Sequence, residues 1–283
     1  MIVVILVVLG LCLGSFLCAS VWRLHEQTEL SQKKKKTDAD RAYLKDLSIS
    51  KGRSMCASCK HELAAKDLVP LLSWALLRGK CRYCREPIGW LEPTVEVVTA
   101  LLFVLSYALW PQALTGKGLF DFGVWLVLLT GFVALSVYDL KWFLLPDKLV
   151  LPLTLLAVVK VAVDGLVFNE GLTLIVSSLT GGLLIAGLFY GLFAISNGRW
   201  IGGGDVKLVF MLGLLAGSPP MALLVVFLSS VFGTLAALPL LIRGKANRAT
   251  QIPYGPFLFF ATVVVVLLGD RLIRAYEAIF IAY

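Results

Sequence analysis

Residues 172–195 read LTLIVSSLTGGLLIAGLFYGLFAI, a stretch in which no side chain carries a charge. At a rise of about 1.5 Å per residue, a helix of this length is long enough to cross the ~30 Å hydrocarbon core of a bilayer. The strands of a membrane β-barrel would alternate apolar and polar residues, and this stretch does not alternate. It therefore predicts a membrane-spanning α-helix.

The rest of the chain repeats this pattern. Of its 283 residues, 59% are hydrophobic and only 16% are charged, and the mean hydropathy is +0.87. Soluble domains are typically about half apolar and about a quarter charged, so the composition excludes that class. We predict an all-α polytopic membrane protein with about eight transmembrane helices. The apolar segments are Met1–Trp22, Thr94–Trp110, Phe122–Tyr138, Leu149–Phe168, Leu172–Ile195, Val206–Ala216, Met221–Ile242 and Pro256–Leu268.

Positive charge is concentrated in one part of the chain. The net charge is +8, and residues 23–92 hold 15 of the 26 Lys and Arg residues. Loops rich in Lys and Arg stay in the cytoplasm, so this part is predicted to be cytoplasmic and the N-terminus to lie outside. Lys33–Lys36 are expected to lie in solvent near anionic membrane lipid, and no nucleic-acid partner is expected. The first apolar segment has no basic residues before it, so we expect a retained anchor and not a cleaved signal.

The polar loop contains two CxxC pairs with the spacing of metal ligands. Four thiolates suit a tetrahedral Zn²⁺ ion, and a site closed by four sulfur ligands is structural. The alternative is four unrelated thiols or a redox pair, while disulfides are disfavoured in the reducing cytoplasm. The pairs are Cys56/Cys59 and Cys81/Cys84, with 21 residues between them. The predicted parts are a first transmembrane helix (1–22), a cytoplasmic loop with a zinc-ribbon-like subdomain (23–92) and a membrane-embedded part of seven helices (93–283).

Two aspartates lie at the ends of apolar segments. Asp139 closes the third segment, and Asp205 opens the sixth, directly after Gly202–Gly204. The 12 residues from Asp205 to Ala216 make a helix of only about 18 Å, so we expect Asp205 to lie below the membrane surface. The glycines are expected to permit unusual backbone angles and to leave room for another chain.

Two carboxylates that face each other would share a proton. One could then act as a base towards water and the other as an acid towards a carbonyl, as in aspartic proteases. The alternative is that each aspartate is a helix cap or a charge at a helix end. That alternative suits Asp205, which starts a helix, better than Asp139, which ends one.

Five stretches in the same order resemble one family. They are LGSFLCASVWRL (13–24), residues 52–100 around the CxxC pairs, YDLKWFLLPDKLVLP (138–152), GGGDVKL (202–208) and IPYGPFL (252–258). Together they resemble the bacterial type IV prepilin leader peptidases/N-methyltransferases, which are membrane aspartyl proteases of the GxGD type. The resemblance extends over nearly the whole chain.

The resemblance implies a site and an activity. Asp139 and Asp205 match the catalytic aspartates, and Gly202 and Gly204 match the glycines of GxGD. The implied reaction removes a basic leader from prepilins and pseudopilins, just after a glycine, at the cytoplasmic face of the bacterial inner (plasma) membrane. The new N-terminus would then be methylated with S-adenosylmethionine. No residues are assigned to that cofactor, because the sequence lacks a Rossmann-like glycine fingerprint.

Four more residues are expected to support the site. Gly203 and Lys207 belong to GGGDVKL, and Asp147 belongs to LPDK. Asp147 would support the geometry of the site or cap the fourth span. Glu96 is an acid within the second span, where it would meet the charge of the leader or the new amine, or would make a structural hydrogen bond.

The sequence leaves other functions open. One is a peptidase without methyltransferase activity, because Cys18 and His25 stand where the family often has Asn and Pro, in a region associated with methylation. The others are an ion-binding transporter and a zinc-bearing membrane scaffold. Against a transporter, both acids lie towards one face of the membrane, and no internal repeat is visible.

Overall fold

The computed structural model describes residues 1–33, 37–48, 52–244 and 252–280, so Lys34–Lys36 of the basic run lie outside the described residues. Within these ranges the regular elements are helices, accompanied by two isolated β-bridges. The α-helices are α1 (Ile2–Gln32), α2 (Asp38–Asp46), α3 (Leu72–Leu76), α4 (Leu91–Leu109), α5 (Lys117–Trp142), α6 (Asp147–Leu166), α7 (Gly171–Ser196), α8 (Gly203–Ala216), α9 (Pro219–Ile242) and α10 (Gly255–Phe280).

Seven of the described helices are long and apolar enough to cross a membrane: α1, α4, α5, α6, α7, α9 and α10. The predicted all-α polytopic membrane fold is therefore confirmed. The remaining apolar segment forms α8, which has 14 residues. Its length of about 21 Å is too short to cross a bilayer alone, as its sequence predicts.

The first helix is longer than its apolar segment. It continues beyond Trp22 to Gln32, because polar side chains in its last turns find partners in the following loop. Arg23 Nη1 donates a hydrogen bond to the Ser48 carbonyl at 3.1 Å, and Gln27 Nε2 donates one to the Leu47 carbonyl at 2.8 Å. Hydrophobicity alone therefore does not mark the end of this helix.

The chain forms two compact units, Met1–Tyr107 and Ala108–Tyr283. The first unit contains α1 to α3 and nearly all of α4, and the second contains α5 to α10. The divisions after residues 22 and 92 that the sequence suggests follow the ends of apolar segments, and they stay predictions.

In the first unit, α1 meets α4 at two glycines one helical turn apart. A Cβ atom at Gly10 would lie 2.5 Å from the Cα of Ala100, and one at Gly14 would lie 2.6 Å from the Cα of Glu96. Helices in a membrane associate through such close packing, because lipid supplies no hydrophobic driving force between them. These glycines therefore hold the two backbones in direct contact.

In the second unit, α8 lies among the longer helices. It contacts α6, α7, α9 and α10, and from Leu208 to Leu214 every residue except Phe210 is buried. Its contact with α7 is again made by glycines, since a Cβ at Gly213 would lie 2.6 Å from the Cα of Gly182. This packing fixes the position of α8, and with it the position of Asp205 in its first turn.

A cluster of four charges joins the start of α5 to the end of α6. Asp121 accepts a hydrogen bond from Lys117 at 2.6 Å and lies 3.1 Å from Lys160 Nζ, which itself lies 2.5 Å from Asp164. Both carboxylates are only 3–4% exposed. Sequence analysis missed this cluster, although the two Lys-x-x-x-Asp repeats place each pair on one helix face. The two lysines make the buried acids tolerable in an apolar unit, and Lys117 also lies 3.8 Å from the more exposed Glu170.

Candidate active site

Asp205 lies in the first turn of α8, and its N–H donates to the carbonyl of the N-cap residue Gly202 at 3.1 Å. None of the glycines 202–204 has a positive φ, so the expectation of unusual backbone angles is wrong. The glycines instead provide space. A Cβ at Gly204 would lie 3.0 Å from the Cβ of Leu145, and one at Gly202 would lie 3.2 Å from Asp205 Oδ2. Side chains here would crowd the carboxylate.

Asp139 lies in the last turn of α5 and is 6% exposed. Both α5 and α8 pack against α10, and Asp139 and Asp205 lie close enough for their charges to interact. The C-terminal end of a helix carries a partial negative charge, which disfavours a carboxylate there. Asp139 therefore needs a favourable partner from another element.

That partner is the main-chain N–H of Gly255, which donates a hydrogen bond to Asp139 Oδ2 at 3.0 Å. Gly255 is the first residue of α10, so the carboxylate meets the positive end of that helix. A Cβ at this position would lie 2.8 Å from Oδ2, which explains why glycine stands there. Sequence analysis assigned Gly255 no role. Its signal is the Gly-Pro pair at the start of an apolar segment, which marks a helix N-terminus with a bare backbone.

Asp147 forms an ion pair with Lys207, which follows Asp205 closely in the chain. Lys207 Nζ lies 2.8 Å from Oδ1 and 2.9 Å from Oδ2 of Asp147, and both side chains are 54% exposed. Asp147 opens α6, and Lys207 follows Asp205 by two residues on α8. The pair therefore ties the start of α6 to the first turns of α8.

Glu96 lies in the first unit, within α4, and is 6% exposed. Its Oε2 accepts a hydrogen bond from the N–H of Leu71 at 2.7 Å. Leu71 has a φ of 56°, a conformation that a residue without a Cβ would adopt more easily. This contact matches the structural hydrogen bond that was one of the two expectations for Glu96. It holds a strained turn of the polar loop in place.

The four cysteines of the loop come together as a cluster. Their sulfur atoms all lie within 4.8 Å of one another, and Cys56 Sγ lies 3.9 Å from Cys84 Sγ. A Zn–S bond of about 2.3 Å places the sulfurs of a tetrahedron about 3.8 Å apart, so this arrangement could bind a metal of that size.

Each CxxC pair sits in a knuckle of the same form. Cys56 N–H donates to the His61 carbonyl at 2.9 Å, and Cys81 N–H donates to the Glu86 carbonyl at 2.8 Å. An isolated β-bridge closes each knuckle, and the residue after the second cysteine has a positive φ in both. The second knuckle therefore repeats the backbone geometry of the first.

The thiols perturb one another. Burial raises the pKa of Cys56, but hydrogen bonds from the main chain of Cys59 and Ser58 and from neighbouring thiols outweigh this and lower it to about 7. The main chain of Glu86 lowers the pKa of Cys84, but burial and the other three thiols raise it to about 12. Thiols held this close need a cation to ionise together, which is what a metal supplies.

An ion pair braces the segment between the knuckles. Asp67 accepts hydrogen bonds from Arg82 Nε at 2.6 Å and from the Tyr83 hydroxyl at 3.1 Å. Burial raises the pKa of Asp67, but these two hydrogen bonds outweigh it, so the pKa lies below its usual value. Because Arg82 and Tyr83 lie between the last two cysteines, Asp67 connects the second knuckle to the residues that precede α3.

Two family models match this chain. The model described as "Bacterial Peptidase A24 N-terminal domain" matches residues 8–110, and the one described as "Type IV leader peptidase family" matches residues 126–238. The first match covers the cysteine cluster and Glu96, and the second covers Asp139, Asp147 and Asp205.

Several relatives are similar over most of their length, and each is named "Prepilin leader peptidase/N-methyltransferase". The protein of Stutzerimonas stutzeri is 34% identical over 283 residues, which covers 95% of this chain and 91% of that protein. The protein of Pseudomonas aeruginosa is 32% identical over 281 residues, with the same coverage. The protein of Aeromonas hydrophila is 34% identical over 230 residues, which covers 79% of this chain and 74% of that protein. No solved structure matches the chain.

Proposed function

The chain belongs to the type IV leader peptidase family, and on this basis we propose that it removes the basic leader from type IV prepilins and pseudopilins. The observation that supports the proposal is that Asp139 and Asp205, which are 66 residues apart in the chain, lie close enough for their charges to interact. Neither a scaffold nor an anchor needs two acids from distant helices in one poorly solvated place, where charge is costly. An endopeptidase does need them.

Asp139 and Asp205 are the proposed catalytic pair, and they share one proton. The ionised carboxylate takes a proton from water as the water oxygen attacks the scissile carbonyl carbon. The protonated carboxyl gives its proton to the carbonyl oxygen. When the tetrahedral intermediate collapses, the C–N bond breaks, the departing nitrogen takes a proton from one carboxyl of the pair, and a hydroxyl of the intermediate gives its proton to the other carboxylate. The products are a leader with a new carboxylate and a mature protein with a free amine, and the pair again holds one proton.

The glycines beside Asp205 suit a peptide substrate. Gly202 and Gly203 are exposed, so an extended main chain could approach the first turn of α8 without meeting side chains. Lys207, paired with Asp147, supports this turn from the α6 side. The scissile bond, just after a glycine, would lie against this bare segment.

Methylation of the new N-terminus with S-adenosylmethionine is the second proposed activity, and it follows from the names of the relatives. When bound, this cofactor supplies an electrophilic methyl group for the free amine. Its binding residues are not assigned. A peptidase without methyl transfer is the alternative, and the mass of the mature substrate distinguishes the two.

We further propose that Cys56, Cys59, Cys81 and Cys84 hold a structural Zn²⁺ that keeps the two knuckles together. The concentration of Lys and Arg in residues 23–92 supports a cytoplasmic position for this loop and an outside N-terminus, in the bacterial inner membrane. That orientation would place the loop on the cytoplasmic side of the membrane, where the basic leader of the substrate would also lie.

The test is leader removal from a co-expressed type IV prepilin, followed by mass spectrometry of the product. Asp139→Asn and Asp205→Asn should each abolish processing, whereas Asp270→Asn, at an exposed acid of α10, should process normally. Processing at the wild-type rate by either of the first two variants would refute the catalytic pair. Methyl transfer predicts a product heavier by one methyl group, and its absence would leave the peptidase alone.

A further inference from the structure

We propose that the start of α10 is a positioning element of the catalytic pair, in which Gly255 fixes the carboxylate of Asp139 and Tyr254 fixes Gly255. The inference rests on the proposed peptidase function, and it goes beyond it by assigning a role to residues that do not react. Neither residue carries a titratable group that takes part in the chemistry proposed above.

The N–H groups at the start of α10 differ in the partners they find. A helix leaves the N–H groups of its first turn without partners in the helix. Pro256 has no N–H, and the N–H groups of the next two residues donate to the carbonyl of Tyr254 at 3.1 and 3.2 Å. The N–H of Gly255 is therefore available to a partner outside α10, and Asp139 accepts its hydrogen bond.

The two carboxylate oxygens of Asp139 have different surroundings. Oδ2 accepts the hydrogen bond from Gly255, so Oδ1 is the oxygen that remains available to water and to the proton shared with Asp205. A main-chain donor at a helix start also favours the ionised form of a carboxylate. Gly255 thus orients Asp139 and favours the ionised form in which it can activate water.

The residue before Gly255 is anchored to other helices. The Tyr254 hydroxyl lies 2.7 Å from Ser229 Oγ, and Ser229 is fully buried in α9. The Tyr254 ring also stacks with Phe189 of α7 at a centroid distance of 6.3 Å. The residue before Gly255 is therefore held by two other helices, so the N–H that faces Asp139 cannot easily move.

Other charged groups around Asp139 do not provide this support. Asp205 on α8 carries the same sign of charge, and Asp147 at the start of α6 is already paired with Lys207. The contribution of α10 is a backbone donor and not a charged side chain. Loss of that donor should therefore affect ionisation of Asp139 directly.

The first experiment replaces Gly255 with alanine in the full-length protein, which is assayed with a purified type IV prepilin. A Cβ would displace the Asp139 carboxylate, so we expect kcat to fall about tenfold to a hundredfold while KM stays within about twofold. The acidic limb of the pH–rate profile should move to higher pH, because the ionised carboxylate has lost its donor. The matched control is Gly123→Ala on α5, where a Cβ meets nothing within 4 Å, and it should keep wild-type kinetics.

The second experiment leaves position 255 unchanged and removes its anchor. Tyr254→Phe and Ser229→Ala both delete the 2.7 Å hydrogen bond, and Tyr254→Phe also deletes the 3.3 Å contact with Ser230 Oγ; each should lower kcat about threefold to tenfold. Because Ser229→Ala has no further contact to remove once Tyr254 lacks its hydroxyl, the double variant should be no slower than Tyr254→Phe. Thr234→Ala, at an exposed position of α9, is the control.

The outcomes separate the two proposals. If the wild-type protein fails to cleave the prepilin, the proposed function is wrong. If it cleaves the prepilin and Gly255→Ala retains both the wild-type kcat and the wild-type pH profile, the positioning role is overturned. Additive effects of Tyr254→Phe and Ser229→Ala would overturn the anchoring step. If Gly255→Ala lowers both kcat and the melting temperature but leaves the pH profile unchanged, the variant is generally destabilised, and this result would also contradict the proposal.

Discussion

Lys207 Nζ contacts both oxygens of Asp147, at 2.8 and 2.9 Å, and thereby joins two helices whose paired residues are 60 positions apart. The pair is 54% exposed on both sides, so its contribution to stability should be below about 1 kcal/mol. Its position is more informative than its energy, because Lys207 lies half a turn after Asp205.

We therefore expect Lys207→Gln and Asp147→Asn to lower the rate of leader removal several-fold with little change in melting temperature. The charge-swapped double variant, Lys207→Asp with Asp147→Lys, should recover part of the lost activity. Lys148→Gln changes the neighbouring exposed charge and serves as the control. Gel assays of prepilin cleavage decide the matter, and wild-type rates in both single variants would contradict a supporting role.

The cysteine cluster predicts bound zinc. Purified full-length protein should contain about one zinc per chain, and Cys81→Ser should lose it because four ligands are needed to close the site. Cys12→Ser, in α1 and outside the cluster, should retain it. Without metal, the loop between α1 and α4 should become sensitive to trypsin, because binding supplies much of its folding free energy. Elemental analysis would contradict the assignment if Cys81→Ser kept its zinc.

The glycine contact between α7 and α8 predicts sensitivity to a single methyl group. Gly213→Ala would bring a Cβ to 2.6 Å from the Cα of Gly182, so one backbone must move. We expect a loss of about 1–3 kcal/mol in unfolding free energy, together with lower activity. Gly187→Ala on α7 has nothing within 4 Å and should be neutral or slightly stabilising. Equal melting temperatures for the two variants would rule out the packing argument.

The buried cluster of α5 and α6 predicts coupled effects on stability. Asp121→Asn removes one of the two buried carboxylates that Lys117 and Lys160 share and leaves only Asp164, which should cost on the order of 3 kcal/mol. Adding Lys160→Gln should recover part of this loss, because the two lysines then no longer compete for one buried carboxylate. The exposed pair of Arg41 and Asp38 offers a contrast, since Arg41→Gln should change stability by less than about 0.5 kcal/mol. Chemical unfolding in detergent would measure these changes in stability. Strictly additive effects of Asp121→Asn and Lys160→Gln would contradict the coupling.

The helices and the cysteine cluster could be predicted from the sequence because their causes are local. Apolar runs specify spans, and each cysteine knuckle is closed by hydrogen bonds between residues that are near in the chain. The shortness of α8 can also be predicted from the sequence, because few residues separate Asp205 from Gly217, which ends the helix.

The details of the candidate site could not be predicted in the same way. Composition does not show that Asp139 meets the start of α10, because a main-chain N–H has no side chain to mark it. The glycines before Asp205 suggested unusual angles, but their use is to leave space, which depends on neighbours such as Leu145. Resemblance to a family indicated which acids matter, and tertiary contacts were needed to show what holds them.

The shortness of α8 also has a consequence for how the chain enters the membrane. A segment of 14 residues is a poor substrate for the insertion machinery, which retains spans of about 20 apolar residues. Only Gly217 and Ser218 separate α8 from α9, so we expect the two to insert together as a helical hairpin. Asp205 would then reach its final depth only after α9 has been synthesised. If Asp205 is one of the two catalytic acids, as proposed, a nascent chain would not hydrolyse a peptide before that point, and biogenesis would delay the appearance of proteolytic activity.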